Sequence, residues 1–388
     1  MKVVIIHNRY GKFSGEEAVV ASQIKILEDN GHTVIPFQRS SEEISSPLQK
    51  GKAFFTGIYN PFMAKRLQQI IRESRPDIIH FHNLYPLISP SVLPMCRKEG
   101  VPIVMTVHNY RLVCPNGLHM VKGRVCQKCC GGNEWWCVLN NCERNHFKSF
   151  GYALRNYVAR VCRLFLDNVT VYTCLTDFQK QRLIAAGFPE DRLKVIPNMV
   201  CDIQKNELPL DKDFVGFIGR VSHEKGVDTL INCAKVLSTI RFRIAGDYSQ
   251  QPDIIKNAPD NVEFCGFLQG EELNVFRRQM RLAVMPSRWY ETFGFILAEA
   301  ALLKKPAIAS RLGAMAEIVE DGKTGLLFDP DNAQDLAEKI KCLWDRPDLC
   351  KKMGEAGREK ALREYSPATY YNRMINVYEK AKETCLLR

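Results

Sequence analysis

No uninterrupted apolar stretch in this chain approaches the ~20 residues that a membrane-spanning helix requires. The opening Met1-Lys2-Val3-Val4-Ile5-Ile6 runs straight into a polar loop with no cleavage-type segment behind it. A spanning protein and a signal-bearing secreted one are therefore not expected, and the opening reads as a buried strand of a cytoplasmic protein. Strong compositional bias is missing too: with 46% hydrophobic and 25% charged residues, the disordered and fibrous classes drop out. Net charge is absent from one half only. Residues 1–200 hold 26 Lys+Arg against 15 Asp+Glu, while the remainder is balanced at 28 each, so the whole +11 excess lies in the first half. An anionic partner or membrane surface is expected on that side.

What is present is a repeated alternation. At ~150 residues per domain, 388 residues predict two compact domains. Short β-branched runs such as Val3 to His7, Thr33 to Phe37, Asp77 to Phe81 and Pro102 to Val107 alternate with amphipathic stretches such as Glu16 to Asn30 and Pro61 to Ser74. The pattern restarts after a polar linker, Gln204 to Asp213, with Phe214 to Ile218, Phe242 to Ala245, Val262 to Cys265, Leu282 to Met285 and Pro306 to Ala309 as strands. That is the signature of parallel sheets with helical crossovers, hence of an α/β protein with two doubly wound, Rossmann-like domains. The expected division is 1–203, 204–365, and a last helix in 366–388 that crosses back to the first domain. Ligands of such sheets bind beyond the carboxyl ends of the strands, so a site facing a cleft is expected just after them.

Two stretches occupy such positions. Gly219-Arg220-Val221-Ser222-His223-Glu224-Lys225-Gly226 gathers a guanidinium and an ammonium beside flexible backbone, which suits a diphosphate. Glu291-Thr292-Phe293-Gly294-Phe295-Ile296-Leu297-Ala298-Glu299 supplies two carboxylates with seven residues between them, able to accept hydrogen bonds from sugar hydroxyls. One precedes a buried helix whose first amides near Gly294 favour phosphate, and the other lies inside it. For Glu299 the alternative is an ion pair with a nearby arginine. A literal Asp-x-Asp, Asp211-Lys212-Asp213, falls in the linker and reads as a solvated turn.

In these stretches the chain resembles the large retaining family of GT-B-fold glycosyltransferases, family 4 (glycosyl transferases group 1), along nearly its whole length. The resemblance implies that Arg220 and Lys225 grip the diphosphate in place of a metal, and that Phe293, Gly294 and Phe295 belong to the sugar-donor site. It further implies that Glu291 contacts the transferred sugar near the reacting carbon and that Glu299 binds the ribose. Gly15, in the loop from Asn8 to Glu17, stands for the second of the family's paired glycines; the first is Ser14 here. His108, after the strand Pro102 to Val107, stands where the family places a histidine against the sugar and the acceptor, and His80 and His82 resemble its strand-end pair. The implied activity is transfer of a sugar from a nucleoside diphosphate to a saccharide or lipid-linked acceptor with retained configuration, in cell-surface polysaccharide or glycolipid synthesis. No metal is implied for catalysis. No carboxylate nucleophile is evident in the motifs, so reaction on one face of the sugar follows from the resemblance alone.

Fifteen cysteines without a secretory segment argue for thiols or metal over a disulfide framework. Six lie between Cys114 and Cys142, and Cys126-x2-Cys129 has the spacing of half a zinc site. Cys114, Cys126, Cys129 and Cys137 are the expected ligands of a structural zinc, with free thiols as the alternative. Residues 147–166 then carry Lys148, Arg155, Arg160 and Arg163, five aromatics and no acid. That segment suits either an anionic membrane, peripheral at the inner face of the plasma membrane, or a crossover helix that buries its aromatics. Lys50 to Phe55 has a similar character. Two other readings remain at this stage, a nucleotide-sugar epimerase on the same scaffold and a zinc-based nucleic-acid or protein-binding module. The second leaves Arg220, Lys225, Glu291 and Glu299 unexplained, so no nucleic-acid partner is expected.

Overall fold

The computed structural model describes residues 1–10, 15–201, 213–249 and 251–386. Gly11 to Ser14, and Asp211 and Lys212 of the Asp-x-Asp, lie outside the described residues. The strands in chain order are β1 (Lys2–Arg9), β2 (Thr33–Ser40), β3 (Ile78–Phe81), β4 (Ile103–Val107), a two-stranded hairpin β5 (Met120–Val121) and β6 (Arg124–Val125), then β7 (Val171–Cys174) and β8 (Leu193–Val195). In the second half they are β9 (Val215–Ile218), β10 (Phe242–Ala245), β11 (Val262–Gly266), β12 (Leu282–Met285), β13 (Ala307–Ser310) and β14 (Gly325–Phe328).

The chain divides into two compact units. The first comprises Met1–His119, Cys126–Asn198 and Tyr370–Arg388; the second comprises Met199–Thr369 together with the hairpin segment Met120–Val125. These limits differ from the expected 203 and 365 by a few residues, and the placement of the hairpin has no counterpart in the sequence reading. The hairpin has two residues per strand, too few to show alternation.

The first unit carries one six-stranded parallel sheet in the order β2-β1-β3-β4-β7-β8. β3, β4 and β7 are buried on both faces, which is why they read as continuous apolar runs with no polar alternation. The helix Pro367–Leu386 supplies Tyr370, Met374, Val377, Tyr378 and Ala381 to this core, at the i, i+4, i+7, i+8, i+11 spacing of one helical stripe.

The second unit carries a six-stranded parallel sheet in the order β11-β10-β9-β12-β13-β14. Its core joins Val215, Phe217, Phe242, Ile244, Leu282 and Val284 of the sheet to Leu230, Ile231, Leu336 and Ile340 of the covering helices. In each sheet the chain first builds outward from the opening strand and then returns to its other side. The reversal falls between β1 and β3 in the first and between β9 and β12 in the second, and the loops leaving these strands diverge to leave a crevice.

Candidate active site

In the second unit the loops after β9, β10 and β12 press together so closely that glycine is required. A Cβ on Gly246 would lie 1.8 Å from the Gly219 carbonyl oxygen, and one on Gly226, at φ +65°, would lie 2.0 Å from the Pro286 carbonyl oxygen. Backbone bonds from Gly219 N–H to the Ala245 carbonyl (2.9 Å) and from Val221 N–H to the Asp247 carbonyl (3.2 Å) fix the first loop. Arg288 fixes its far end, donating to Asp228 (2.7 Å) and Thr229 (2.9 Å), pairing with Asp331, and approaching His223 Nδ1 at 2.8 Å. Lys225 is thereby aimed at the residues that follow β12.

There it meets Glu291. Lys225 Nζ, Ser287 Oγ and Trp289 Nε1 all donate to Glu291 Oε1, at 2.7, 2.6 and 2.7 Å. Lys225 also lies 5.4 Å from the centre of the Trp289 ring. Burial by itself would raise the Glu291 carboxyl, but the Lys225 charge and the three hydrogen bonds outweigh it and hold the group below its ordinary value. The carboxylate is therefore ionised and fixed. Ser287 and Trp289 are parts of this site that sequence reasoning passed over, although both lie within four residues of Glu291.

The other expected residues fall differently. The helix is Phe295–Leu302, with Gly294 (φ +89°) as its N-cap and no side-chain capping bond. Glu299 lies within it and accepts from Arg277 Nη2 at 2.6 Å, the ion pair that was the alternative for this residue. Burial raises its carboxyl, and Arg277 opposes that only in part. Arg220 is 68% exposed and pairs with Glu224 at 3.1 Å. The Phe293 ring is buried and packs edge-on against Phe295 (5.2 Å) and Tyr365 (5.4 Å). Phe295 is half-buried beside it.

The first unit has its own polar cluster where β1, β3 and β4 end. His82 Nδ1 lies 2.7 Å from His108 Nε2, with the rings stacked at 5.0 Å. His80 is a packing residue, bonded to Thr106 Oγ1 (2.8 Å) and the Tyr378 hydroxyl (2.7 Å). Two further groups have no precedent in the sequence reading. His7 is fully buried on β1, and Glu16 reaches to 3.7 Å from its Nδ1 while accepting from the Tyr10 hydroxyl at 3.0 Å. Gly15, expected in the loop, is instead the first residue of the helix Gly15–Asp29, exposed and one position before Glu16.

Burial pushes His108 and His80 down to about 3 and His7 to about 4, and it pushes Glu16 up to about 7. The histidines are thus neutral hydrogen-bonding groups. Both His7 ring nitrogens, His82 Nε2 and Glu16 Oε1 are buried with no hydrogen bond among the described residues. So many unmet polar atoms in one place mark a position that a polar guest can fill. A cavity of about 20 Å³ opens beside His82, His108 and Arg111.

The comparisons with known proteins follow this geometry. Residues 201–360 match the model of glycosyl transferases group 1, and residues 13–202 that of glycosyltransferase family 4. An uncharacterised glycosyltransferase of Methanocaldococcus jannaschii is 37% identical over 315 residues, 79% of this chain and 76% of its own. The chain belongs to glycosyltransferase family 4. An uncharacterised 42.6 kDa protein in a Klebsiella pneumoniae cps region is 27% identical over 281 residues, covering 70% of this chain and 67% of its own. Among solved structures, Anabaena HepE in complex with UDP and glucose superposes with a TM-score of 0.67 over 98% of this chain and 100% of its own, at 19% identity. The glycosyltransferase thus has the GT-B fold.

The cysteine-rich segment of the glycosyltransferase brings several of its thiols close together. Cys129 and Cys137 are buried with Ala153 in a small apolar core, against which Val138 and Cys142 pack, and Cys114 bonds Asn116 Oδ1 at 3.0 Å. None of the fifteen cysteines is in a disulfide. Among the described residues no three His, Cys, Asp or Glu side chains are grouped to hold a metal. Burial raises the Cys114 thiol to about 11 and raises Cys129 too, so both are protonated thiols in the metal-free chain.

Proposed function

We propose that this glycosyltransferase moves a sugar from a nucleoside diphosphate to a hydroxyl of a saccharide or lipid-linked acceptor, with retained configuration, in cell-surface polysaccharide or glycolipid synthesis. The observation that carries the reading is Lys225 paired with Glu291 at the topological switch of the second sheet. The pair can exchange partners. Lys225 turns to the diphosphate, and the sugar hydroxyls replace it as donors to Glu291, so both charges stay compensated. Arg220, exposed and held only by a surface ion pair, is free to move to the phosphates at small cost. Neutralisation by these two cations is how the leaving diphosphate is stabilised without a metal.

The acceptor hydroxyl attacks the anomeric carbon on the face from which the diphosphate leaves. The carbon–oxygen bond to phosphate breaks as the new one forms, and the hydroxyl proton passes to the departing phosphate oxygen. Support for this single-face course is the family membership together with a Glu291 kept ionised by three donors and therefore suited to hold hydroxyls. The neutral His82–His108 pair and the unmet atoms of His7 and Glu16 suit a polyol, and we assign them to the acceptor. The relative in a cps region favours a surface polysaccharide.

The test is a panel of nucleoside diphosphate sugars with saccharide and lipid-linked acceptors, the product's anomeric configuration read by NMR. The expected result is one retained linkage whose rate is unchanged by a chelator. An inverted product, a rate abolished by the chelator, or epimerised free sugar nucleotide without acceptor would sink the reading.

A further inference from the structure

The crossover alternative for residues 147–166 requires their aromatics to face the sheet; Phe165 is buried and Tyr152 half-buried, but the helix His146–Val161 turns its other aromatics outward. It buries Ser149, Gly151, Ala153, Arg155, Asn156 and Ala159 and leaves Phe147, Phe150 and Tyr157 outside. Large side chains exposed singly are ordinary, but these are joined to others. Phe147 stacks on Phe54 of the helix Pro47–Thr56 at 5.1 Å, and Phe54 meets Phe55 at 5.3 Å. Gly151 lets the two helices approach, since a Cβ there would lie 2.3 Å from the Phe54 ring. Leu48 (85% exposed) and Phe55 (71%) are seven residues apart, hence on one face of their helix. Tyr59, Phe62 (79%) and, from the helix Trp136–Leu139, Leu139 (72%) are likewise exposed.

Within the segments that carry these side chains the charges have one sign, although Glu43 lies near Arg66 and Glu143 near Lys148. Residues 44–72 and 144–166 contain no aspartate or glutamate. Lys50, Lys52, Lys65, Arg66 and Lys148 are all exposed among them. The joined Phe54, Phe55 and Phe147, with further exposed apolar side chains and lysines on the same helices, are costly in water and have an evident complement, a surface that is apolar beneath and anionic above.

We propose that this face of the first unit docks on an anionic lipid surface, inserting Leu48, Phe55, Phe62 and Phe147 at the level of the headgroups while Lys50, Lys52 and Lys148 meet lipid phosphates. The inference rests on the surface and not on the transfer reaction, so each can fail without the other. A protein partner of any kind would have to bring an acidic, apolar surface of its own. The lipid headgroup layer offers both features over an extended area.

The experiment is co-sedimentation of the full chain with vesicles of phosphatidylcholine and phosphatidylglycerol, and with vesicles of phosphatidylcholine alone. Binding is expected to the first and to weaken with salt. Each lysine near an anionic surface contributes about a fivefold factor, so Lys50→Gln, Lys52→Gln and Lys148→Gln together should lower partition roughly a hundredfold. Phe55→Ser and Phe62→Ser should each lower it about tenfold or more, from lost apolar burial. Stabilisation of each variant by a nucleoside diphosphate serves as the control for folding. Equal affinity for neutral vesicles, no affinity for either, or a self-associated chain that these substitutions render monomeric would overturn the proposal. The last result would assign the face to a second copy.

Discussion

At 2.7 Å, with side chains 14% and 8% exposed, Lys225 holds the Glu291 carboxyl below its ordinary value, and each partner is costly without the other. Removing one partner of a buried pair costs about 3–5 kcal/mol, because a charge is left uncompensated. Lys225→Ala should therefore lower stability by roughly that amount and reduce turnover by about 10²–10³. Adding Glu291→Gln to it should recover most of the stability, since the amide still accepts from Ser287 and Trp289, and should recover none of the turnover. Urea midpoints and initial rates of the two single variants and the double variant check this cycle. Turnover near normal in Lys225→Ala would remove it from the site. Glu16 poses the converse case. Its carboxyl ordinarily titrates at 4.5 and does so at about 7 when folded, so the native chain keeps a proton that the unfolded chain has released. Stability is then fully present below pH 4.5 and is lost as pH rises through about 7, by roughly 3 kcal/mol at 1.36 per unit. Glu16→Gln should abolish that loss, and the difference between its urea midpoints and the parent's at pH 5 and pH 8 measures it. A variant as pH-sensitive as the parent would refute the assignment. Lys225 and Glu291 were legible in the sequence because their motif has fixed spacing. His7 and Glu16 were not, because burial without partners depends on which strands become neighbours.

At the scale of elements, legibility followed how much an element's neighbours dictate its composition. β3, β4, β9, β10 and β12 are covered on both faces and so read as β-branched runs. β14, flanked by Gly325 and the turn at Asp329, was passed over although Leu327 and Phe328 are buried. The cysteine-rich segment shows a different limit. Cys126-x2-Cys129 has the spacing of a metal half-site, but spacing does not say whether the sulfurs turn toward one another or into an apolar core. Here they do both: Cys137 is 1% exposed and Cys129 8%, packed against Ala153, and the Cys137 thiol is also hydrogen-bonded to that of Cys142. Thiol reactivity separates the two arrangements. With a soluble disulfide reagent under native conditions, the exposed Cys162 and Cys201 should react first, and Cys96, Cys129 and Cys137 only on unfolding. Zinc bound at one equivalent, with release of metal on labelling, would instead restore Cys114, Cys126, Cys129 and Cys137 as ligands.

Over the whole molecule, the last helix determines which unit depends on the chain's end. Tyr378 is fully buried in the first unit, its hydroxyl 2.7 Å from His80 Nδ1 and 2.9 Å from Gln23 Nε2, some 300 residues away in sequence. The Tyr370 hydroxyl donates to Gln23 Oε1 at 2.6 Å, closing a network of buried polar groups that burial alone would penalise. The expected crossing of 366–388 rested on amphipathic spacing, which shows that a helix has a face to bury but not where. Lys225 and Glu291, which we propose hold the sugar donor, belong to the second unit, whose core shares none of these side chains. Tyr378→Ala should therefore cost about 3–5 kcal/mol through its cavity and the unpaired His80 and Gln23, and that cost should fall on the first unit. A nucleoside diphosphate at 100 times its dissociation constant should stabilise by about 2.7 kcal/mol, and that gain should fall on the second. In urea, monitored by far-ultraviolet circular dichroism, two transitions are expected, one moved only by the substitution and the other only by the nucleotide. If both agents moved a single transition, the two units would fold as one cooperative body, and the acceptor and sugar-donor halves would be linked through their stability as well as through the reaction.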